Sequence, residues 1–174
     1  MCIRDRLSSS FNVSIPDMRL WSLDDPFLYK VEASLDDDQV ESYFGMRKVS
    51  VVNLPDSEFP YVALNNKPIY LQFALDQSYH QDGFYTFPTD QFMKEEIIRS
   101  KSIGLNGIRI HIKTEIPRKL YWADKLGLLV VEDLPNSWGE PNKLMKAESE
   151  YTLRQMIKRD YNHPSIISWV IFNE

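Results

Sequence analysis

The chain has 174 residues, 43% of them hydrophobic and 13% aromatic, which is enough for a substantial buried core and argues against wholesale disorder. A net charge of −5 and a pI near 5.3 give no basic face for nucleic acid and nothing to hold an anionic membrane. One cysteine, Cys2, excludes an internal disulfide framework and a cysteine-rich metal site; no apolar run reaches the roughly 18 residues of a membrane-spanning helix; and Met1 to Arg6 lacks the apolar core of a signal peptide, so localisation stays open.

Residues 1–19 are polar with little pattern beyond Phe11, Val13 and Ile15, and form an uncertain lead-in. Asp24-Asp25-Pro26 marks a turn, after which Phe27, Tyr29, Val31, Ala33 and Leu35 alternate as on a half-buried antiparallel strand. Asp36-Asp37-Asp38 has too few companion ligands for a metal and reads as a solvated hairpin tip. Val40 to Phe44 returns, Gly45 breaks the run, and Arg47 to Val52 is a further strand. Residues 20–54 therefore read as the end of a β-sandwich with too few strands to close alone. The proline-bounded stretch 55–60 is a linker, and residues 61–174 are a second unit.

In that second unit Asn65-Asn66 is a hairpin turn, because asparagine tolerates positive φ. Strands and helices then alternate. Tyr70 to Leu75 is a strand; Thr89 caps a helix over Gln91 to Ser102, with Met93 and Ile97 inward and Gly104 as its stop. Leu105 to Ile110 is the next strand, and Pro117 opens a helix that Gly127 closes. Leu128 to Val131 is a third strand, and Ala147 to Arg159 a third helix, with Leu153, Met156 and Ile157 on one face. His163-Pro164 leads into Ile166 to Phe172, an unbroken β-branched and aromatic run that reads as a strand buried on both faces. The fold class is α/β: about four strands from the start of a TIM (β/α)8 barrel, with a parallel sheet and right-handed crossovers. A domain seldom stops on a central strand, so a barrel interrupted midway is the expectation.

Such barrels carry their chemistry at the carboxyl ends of the strands. Here those ends are Asp76, followed by Gln77, Tyr79, His80 and Asp82, then Arg109-Ile110-His111-Ile112-Lys113, then Glu132-Asp133 with Asn136 and Trp138 in the following loop, then Asn173-Glu174. Glu174 suits a general acid in a walled pocket. Asn173 suits a substrate hydroxyl or a turn, and Arg109 a carboxylate, a substrate oxygen or a structural ion pair. His111 reaches a sugar or is a satisfied histidine of the barrel mouth. Glu132 and Asp133 are adjacent and point to opposite faces, so at most one enters the site. Trp138 and Tyr79 stack on a sugar ring or pack the rim. No metal spacing and no glycine-rich phosphate loop is present, so no metal or cofactor is expected.

Several stretches resemble a known family. Leu20-Trp21-Ser22 with Pro26-Phe27-Leu28-Tyr29 is similar to LWSP-x-x-P-x-LY, and Phe44-Gly45-Met46-Arg47 to FG-x-R. Leu64-Asn65-Asn66-Lys67-Pro68 resembles LNGKP, Gly104-Leu105-Asn106 to Arg109 resembles GFN-x-x-R, and Asp124 to Val130 resembles D-x-LGLLV. Asp160 to Ile167, followed by Trp169 and Asn173-Glu174, is similar to RD-x-NHPS-I-x-x-W-x-x-x-NE, the most specific of the set. The pattern is that of glycoside hydrolase family 2, the β-galactosidases, β-glucuronidases and β-mannosidases. The resemblance implies an immunoglobulin-like sandwich ahead of the barrel and a retaining exo-β-glycosidase acting on a glycoside or oligosaccharide. It implies Glu174 as acid/base, Asn173 at the sugar 2-hydroxyl and Arg109 supporting the catalytic carboxylates, with Asp76, His111, Asp133 and Trp138 as further candidates for substrate contact. The nucleophile glutamate would come from a later strand, so the chain alone should be inactive and, with an open sheet edge, poorly soluble. His111-Ile112-Lys113-Thr114 and Gln72 to Asp76 depart from the best-known members, so their sugar specificity does not transfer. The competing readings are another barrel glycosidase and a non-catalytic sugar-binding or scaffold relative.

Overall fold

A computed structural model describes residues 10–136, 140 and 142–173. Three sheets follow one another along the chain. The first is the hairpin of β1 (Tyr29–Leu35) and β2 (Asp38–Phe44), paired from Tyr29↔Phe44 to Leu35↔Asp38. Asp36, at φ 50, turns its tip, and Tyr29 stacks on Phe44 across the pair with ring centroids 5.1 Å apart. The expected half-burial is not realised. Val31, Leu35 and Val40 are all exposed, because only the base of the ribbon, where Tyr29, Tyr43 and Phe44 are partly buried, finds neighbours among the described residues.

The second sheet joins β3 (Val49–Asn53), β4 (Pro60–Leu64) and β5 (Lys67–Pro68), so the proline-bounded stretch connects two paired strands. Asn65 and Asn66, at φ 53 and 66, make the β4–β5 turn with the positive φ that such hairpins need.

The third sheet is parallel, with β6 (Phe73–Asp76), β7 (Gly107–Ile110), β8 (Leu129–Asp133) and β9 (Ile166–Val170) in sequential order. Every crossover moves one place in the same direction, as a barrel requires and an open doubly wound sheet does not. The crossovers are α1 (Asp90–Ser102), α2 (Pro117–Leu126) and α3 (Lys143–Asp160). Thr89 accepts from the Phe92 N–H to cap α1, and Pro117 opens α2. Gly127, at φ 73, ends α2 where an added Cβ would lie 2.4 Å from the Leu23 carbonyl. Helix α3 begins four residues earlier than the apolar spacing predicts, capped by Asn142. Strand β9 is only partly buried, and Ile171 and Phe172 beyond it are exposed, because it is the outer strand of the described sheet.

Ile97, Ile108, Ile110, Leu120, Ala123, Leu128, Val130 and Ile166 form the core between helices and sheet. A second cluster of Trp21, Leu64 and Leu129, with Phe73 and Ile167 against it, fills the opposite face of the strands and draws in the segment before β1. Trp21 donates its indole N–H to the Asp124 carbonyl at 2.7 Å. Arg47 donates to the carbonyls of Pro164, at 3.0 Å, and Ile166, at 2.5 Å. The buried Asp124 carboxylate accepts from the Ser165 N–H at 2.9 Å and from the Tyr43 hydroxyl at 2.9 Å, and meets His163 Nδ1 at 2.5 Å. These contacts clamp the amino ends of β8 and β9 to the segment around β2.

Candidate functional site

Alternation along the strands sorts the polar residues at the other end. Ile108, Ile110 and Val130 pack against the helices, so Arg109 and Asp133 lie on the opposite, inner face. There Arg109 Nε donates to Asp133 Oδ1 at 3.0 Å and Nη2 donates to Oδ2 at 2.8 Å, a two-pronged pair. The same Nη2 donates to Asn173 Oδ1 at 2.7 Å. Three successive strands thus bring Arg109, Asp133 and Asn173 together at their carboxyl ends, with Asp133 itself only 1% exposed. Asp133 Oδ2 also accepts the Ile112 N–H at 3.3 Å. Ile112 holds φ 49, a conformation costing a β-branched residue roughly 1–3 kcal/mol. The loop bordering this carboxylate therefore holds one strained position.

Glu132 faces the helices, as its parity requires. It is fully buried below Glu115, Arg159 and Asp160, with Oε1 accepting the Glu115 N–H at 2.9 Å and Oε2 lacking a hydrogen-bond partner among the described residues. Burial pushes its pKa up to about 7, helped by Asp160 and opposed by the Glu115 N–H and Arg159. Arg159 itself is held by Asp160 at 2.7 Å and donates to the Glu115 carbonyl.

Asp76 also lies on the helix side, away from the inner face. Lys119, 1% exposed on α2, pairs with Asp76 and lies 3.3 Å from Glu96 and 3.9 Å from Glu115. Burial alone would raise the Asp76 pKa, but Lys119 and the Ser78 N–H at 2.7 Å outweigh it and the net shift is downward. Asp76, Ser78, His80, Glu96 and Lys119 line an open cleft of about 480 Å³ beside β6 and α1, which includes none of Arg109, Asp133 and Asn173. His111, just past β7, is half-buried and donates its backbone N–H to the Asp76 carbonyl at 2.9 Å. Trp138 and Glu174 lie outside the described residues. Among the described residues no group of three His, Cys, Asp or Glu could hold a metal ion.

The sequence places Ile112 and Lys113 at a strand end without giving either a role, and it gives no notice of Glu115. Lys113 donates to the Tyr85 carbonyl at 3.0 Å and lies 3.4 Å from Glu115, and Glu115 takes the Ser78 hydroxyl and, through its N–H, Glu132. The available signal was two charges, three and five residues past the end of β7.

Comparison with known proteins matches residues 3–47 to Glycosyl hydrolases family 2 and residues 53–174 to its TIM barrel domain. A β-galactosidase of Thermoanaerobacterium thermosulfurigenes is 34% identical over 92% of this chain and 22% of its own length. A β-glucuronidase of Streptococcus agalactiae is 28% identical over 92% of this chain and 29% of its own length. The solved structure of Bacteroides uniformis β-glucuronidase 3 superposes with a TM-score of 0.79 at 28% identity, covering 94% of this chain and 21% of that one. The chain thus spans between a fifth and a third of the length of these relatives. With the sequential parallel sheet, the sandwich strands ahead of it and both matched segments in order, the chain belongs to glycosyl hydrolases family 2.

Proposed function

We propose that the whole protein is a retaining β-glycosidase and that this chain carries the acid/base half of its site. The observation supporting this is the Arg109–Asp133–Asn173 hydrogen-bonded group, which ends one residue before Glu174 at the carboxyl ends of neighbouring strands. A retaining glycosidase needs two carboxylates roughly 5–5.5 Å apart, one protonating the leaving oxygen and the other attacking the anomeric carbon. Glu174 is the acid/base in this reading, and a carboxylate from a later barrel strand is the nucleophile. Arg109, fixed by Asp133, holds Asn173 by its side-chain oxygen, which leaves the Asn173 amide N–H groups to meet a sugar hydroxyl. Asp76, tied to Lys119, shapes the rim and does not touch substrate.

The relatives named above divide between galactosides and glucuronides, so the substrate is a terminal β-linked sugar of one of these types. In the full-length protein, Glu174→Gln is expected to lower kcat on an alkyl β-glycoside about 10²–10⁴-fold, the usual worth of a general acid. Full-length protein that binds such sugars without turning them over would instead establish a non-catalytic relative.

A further inference from the structure

The loop joining β7 to α2, residues 111–116, is tied to the end of β8 twice through its backbone. The Ile112 N–H donates to Asp133 Oδ2 at 3.3 Å, and the Glu115 N–H donates to Glu132 Oε1 at 2.9 Å. The two acceptors are consecutive residues of one strand, so their side chains leave opposite faces and hold the loop from both sides of the sheet. Strand β8 lies between β7 and β9, which places this arrangement inside the described sheet and not at its edge. Glu115 and Glu132 are both fully buried.

The first of these ties is under strain. Ile112 holds φ 49, which a β-branched residue keeps only where its surroundings fix it. Left to itself the residue would return to negative φ, and its N–H would swing away from Asp133. Three residues on, Glu115 supplies the fixing. Its N–H is held by Glu132, its carbonyl by Arg159 of α3, and its carboxylate by the Ser78 hydroxyl and by the Ile116 N–H at 2.8 Å. Of these partners, Glu132 stands next to Asp133 on the same strand, so it joins the loop and that carboxylate into one unit. Asp133 in turn receives Arg109 at 2.8 Å, and Arg109 donates to Asn173 at 2.7 Å. A carboxyl oxygen accepts an N–H whether the group is ionised or protonated, so the Glu132 tie does not need the charge.

We propose that Glu132 is a positioning residue for the Arg109–Asp133–Asn173 group: by accepting the Glu115 N–H on the helix side, it keeps Ile112 in its strained conformation and the Asp133 carboxylate aimed at Arg109. Glu132 faces the helices, so it acts through the loop and never touches the sugar. Its effect on turnover rests on the glycosidase reading given above, in which Asn173 and Glu174 meet the substrate.

The test uses the full-length protein with methyl β-galactoside and methyl β-glucuronide. Glu132→Ala and Glu132→Leu offer no acceptor and are expected to lower kcat per folded molecule about tenfold, the worth of a small misplacement at a reacting centre. Glu132→Gln keeps a carbonyl oxygen of the same reach and is expected to restore most of that loss. A purely packing role would lower the urea midpoint of the alanine variant and leave kcat untouched; that result overturns the proposal and leaves the glycosidase reading standing. Equal losses in the glutamine and alanine variants overturn it as well. Wild-type protein that hydrolyses neither glycoside counts against the glycosidase reading alone. Hydrogen exchange read at single amides of the wild type then decides the positioning, as it also does where the acceptor-less variants fail to fold. One opening free energy shared by the Ile112 and Glu115 amides supports the proposal, and an Ile112 amide that opens independently of Glu115 overturns it.

Discussion

The two ends of the parallel sheet are built differently. At the amino ends, Asp124 spends its carboxylate on Ser165, Tyr43 and His163. Lys101 there donates to the carbonyls of Leu23, Leu126 and Gly127, and Asn106 bonds both Gln72 and Tyr70. At the carboxyl ends, Arg109, Asp133 and Asn173 bond one another, and Ile112 in the bordering loop holds φ 49. Most of the motif residues that betray the family, Trp21, Gly45, Arg47, Asn106, Asp124, His163 and Pro164, belong to the first end. Among the described residues, Arg109 and Asn173 belong to the second. A recognisable motif is therefore mostly a record of how sandwich and barrel are joined, and only in small part a record of chemistry.

Three measurements would break or sharpen that contrast. Removing Arg109 leaves the buried Asp133 carboxylate without its cation, at a cost of about 3–5 kcal/mol, and removing the Asp124 carboxylate leaves the buried Ser165 N–H without its acceptor, at about 1–3 kcal/mol. Asp124→Ala should therefore lower the urea midpoint strongly while activity per folded molecule is retained. Arg109→Ala, which strands Asp133, should lose stability and activity together. Equal activity loss in both would erase the distinction between a structural end and a chemical end.

Glu132 gives the next effect. Its pKa stands near 7 in the native protein against 4.5 for the free group, so the native state binds more protons between those values. The stability held by the protonated form is complete below about pH 4.5 and is lost as pH rises through 7, amounting to about 3 kcal/mol. Glu132→Gln should flatten the fall in urea midpoint between pH 5 and pH 8; parallel profiles for wild type and variant would show that Glu132 is ionised throughout.

The smallest effect is at Gly45, where an added Cβ would lie 2.6 Å from Pro164 Cγ. Gly45→Ala should cost about 1–3 kcal/mol by overpacking, read as a lower melting temperature. An unchanged melting temperature would mean that the joint between sandwich and barrel yields.

Much of the fold was legible because short-range chemistry set it. Thr89, Pro117, Gly127 and Asn65-Asn66 mark their helix and turn boundaries by capping or by φ preference alone. The start of α3 was not legible: Lys143, Leu144 and Lys146 carry no inward stripe, and only Asn142 marks the cap. The burial of β9 was misjudged because an apolar run does not say which of its faces finds a neighbour. Arg109, Asp133 and Asn173 could be picked out as strand-end residues, and Glu132 and Asp133 were separated by parity. The direction of Asp76 was hidden, because it depends on Lys119, a lysine buried 43 residues later on a helix where a charge is ordinarily solvated.

The Arg47 hydrogen bonds span 117 and 119 residues, and the Trp21 bond spans 103. At a synthesis rate of about 5–20 residues per second, Arg47 is added to the chain roughly 6–23 seconds before Pro164 exists to receive it. Through that interval the sandwich end carries a guanidinium whose acceptors have not yet been made, and until Asp124 is added it carries an indole in the same condition. Its last strands become final only when the fourth barrel strand arrives, so a ribosome paused between these points holds a nascent chain that must be kept from finding other partners.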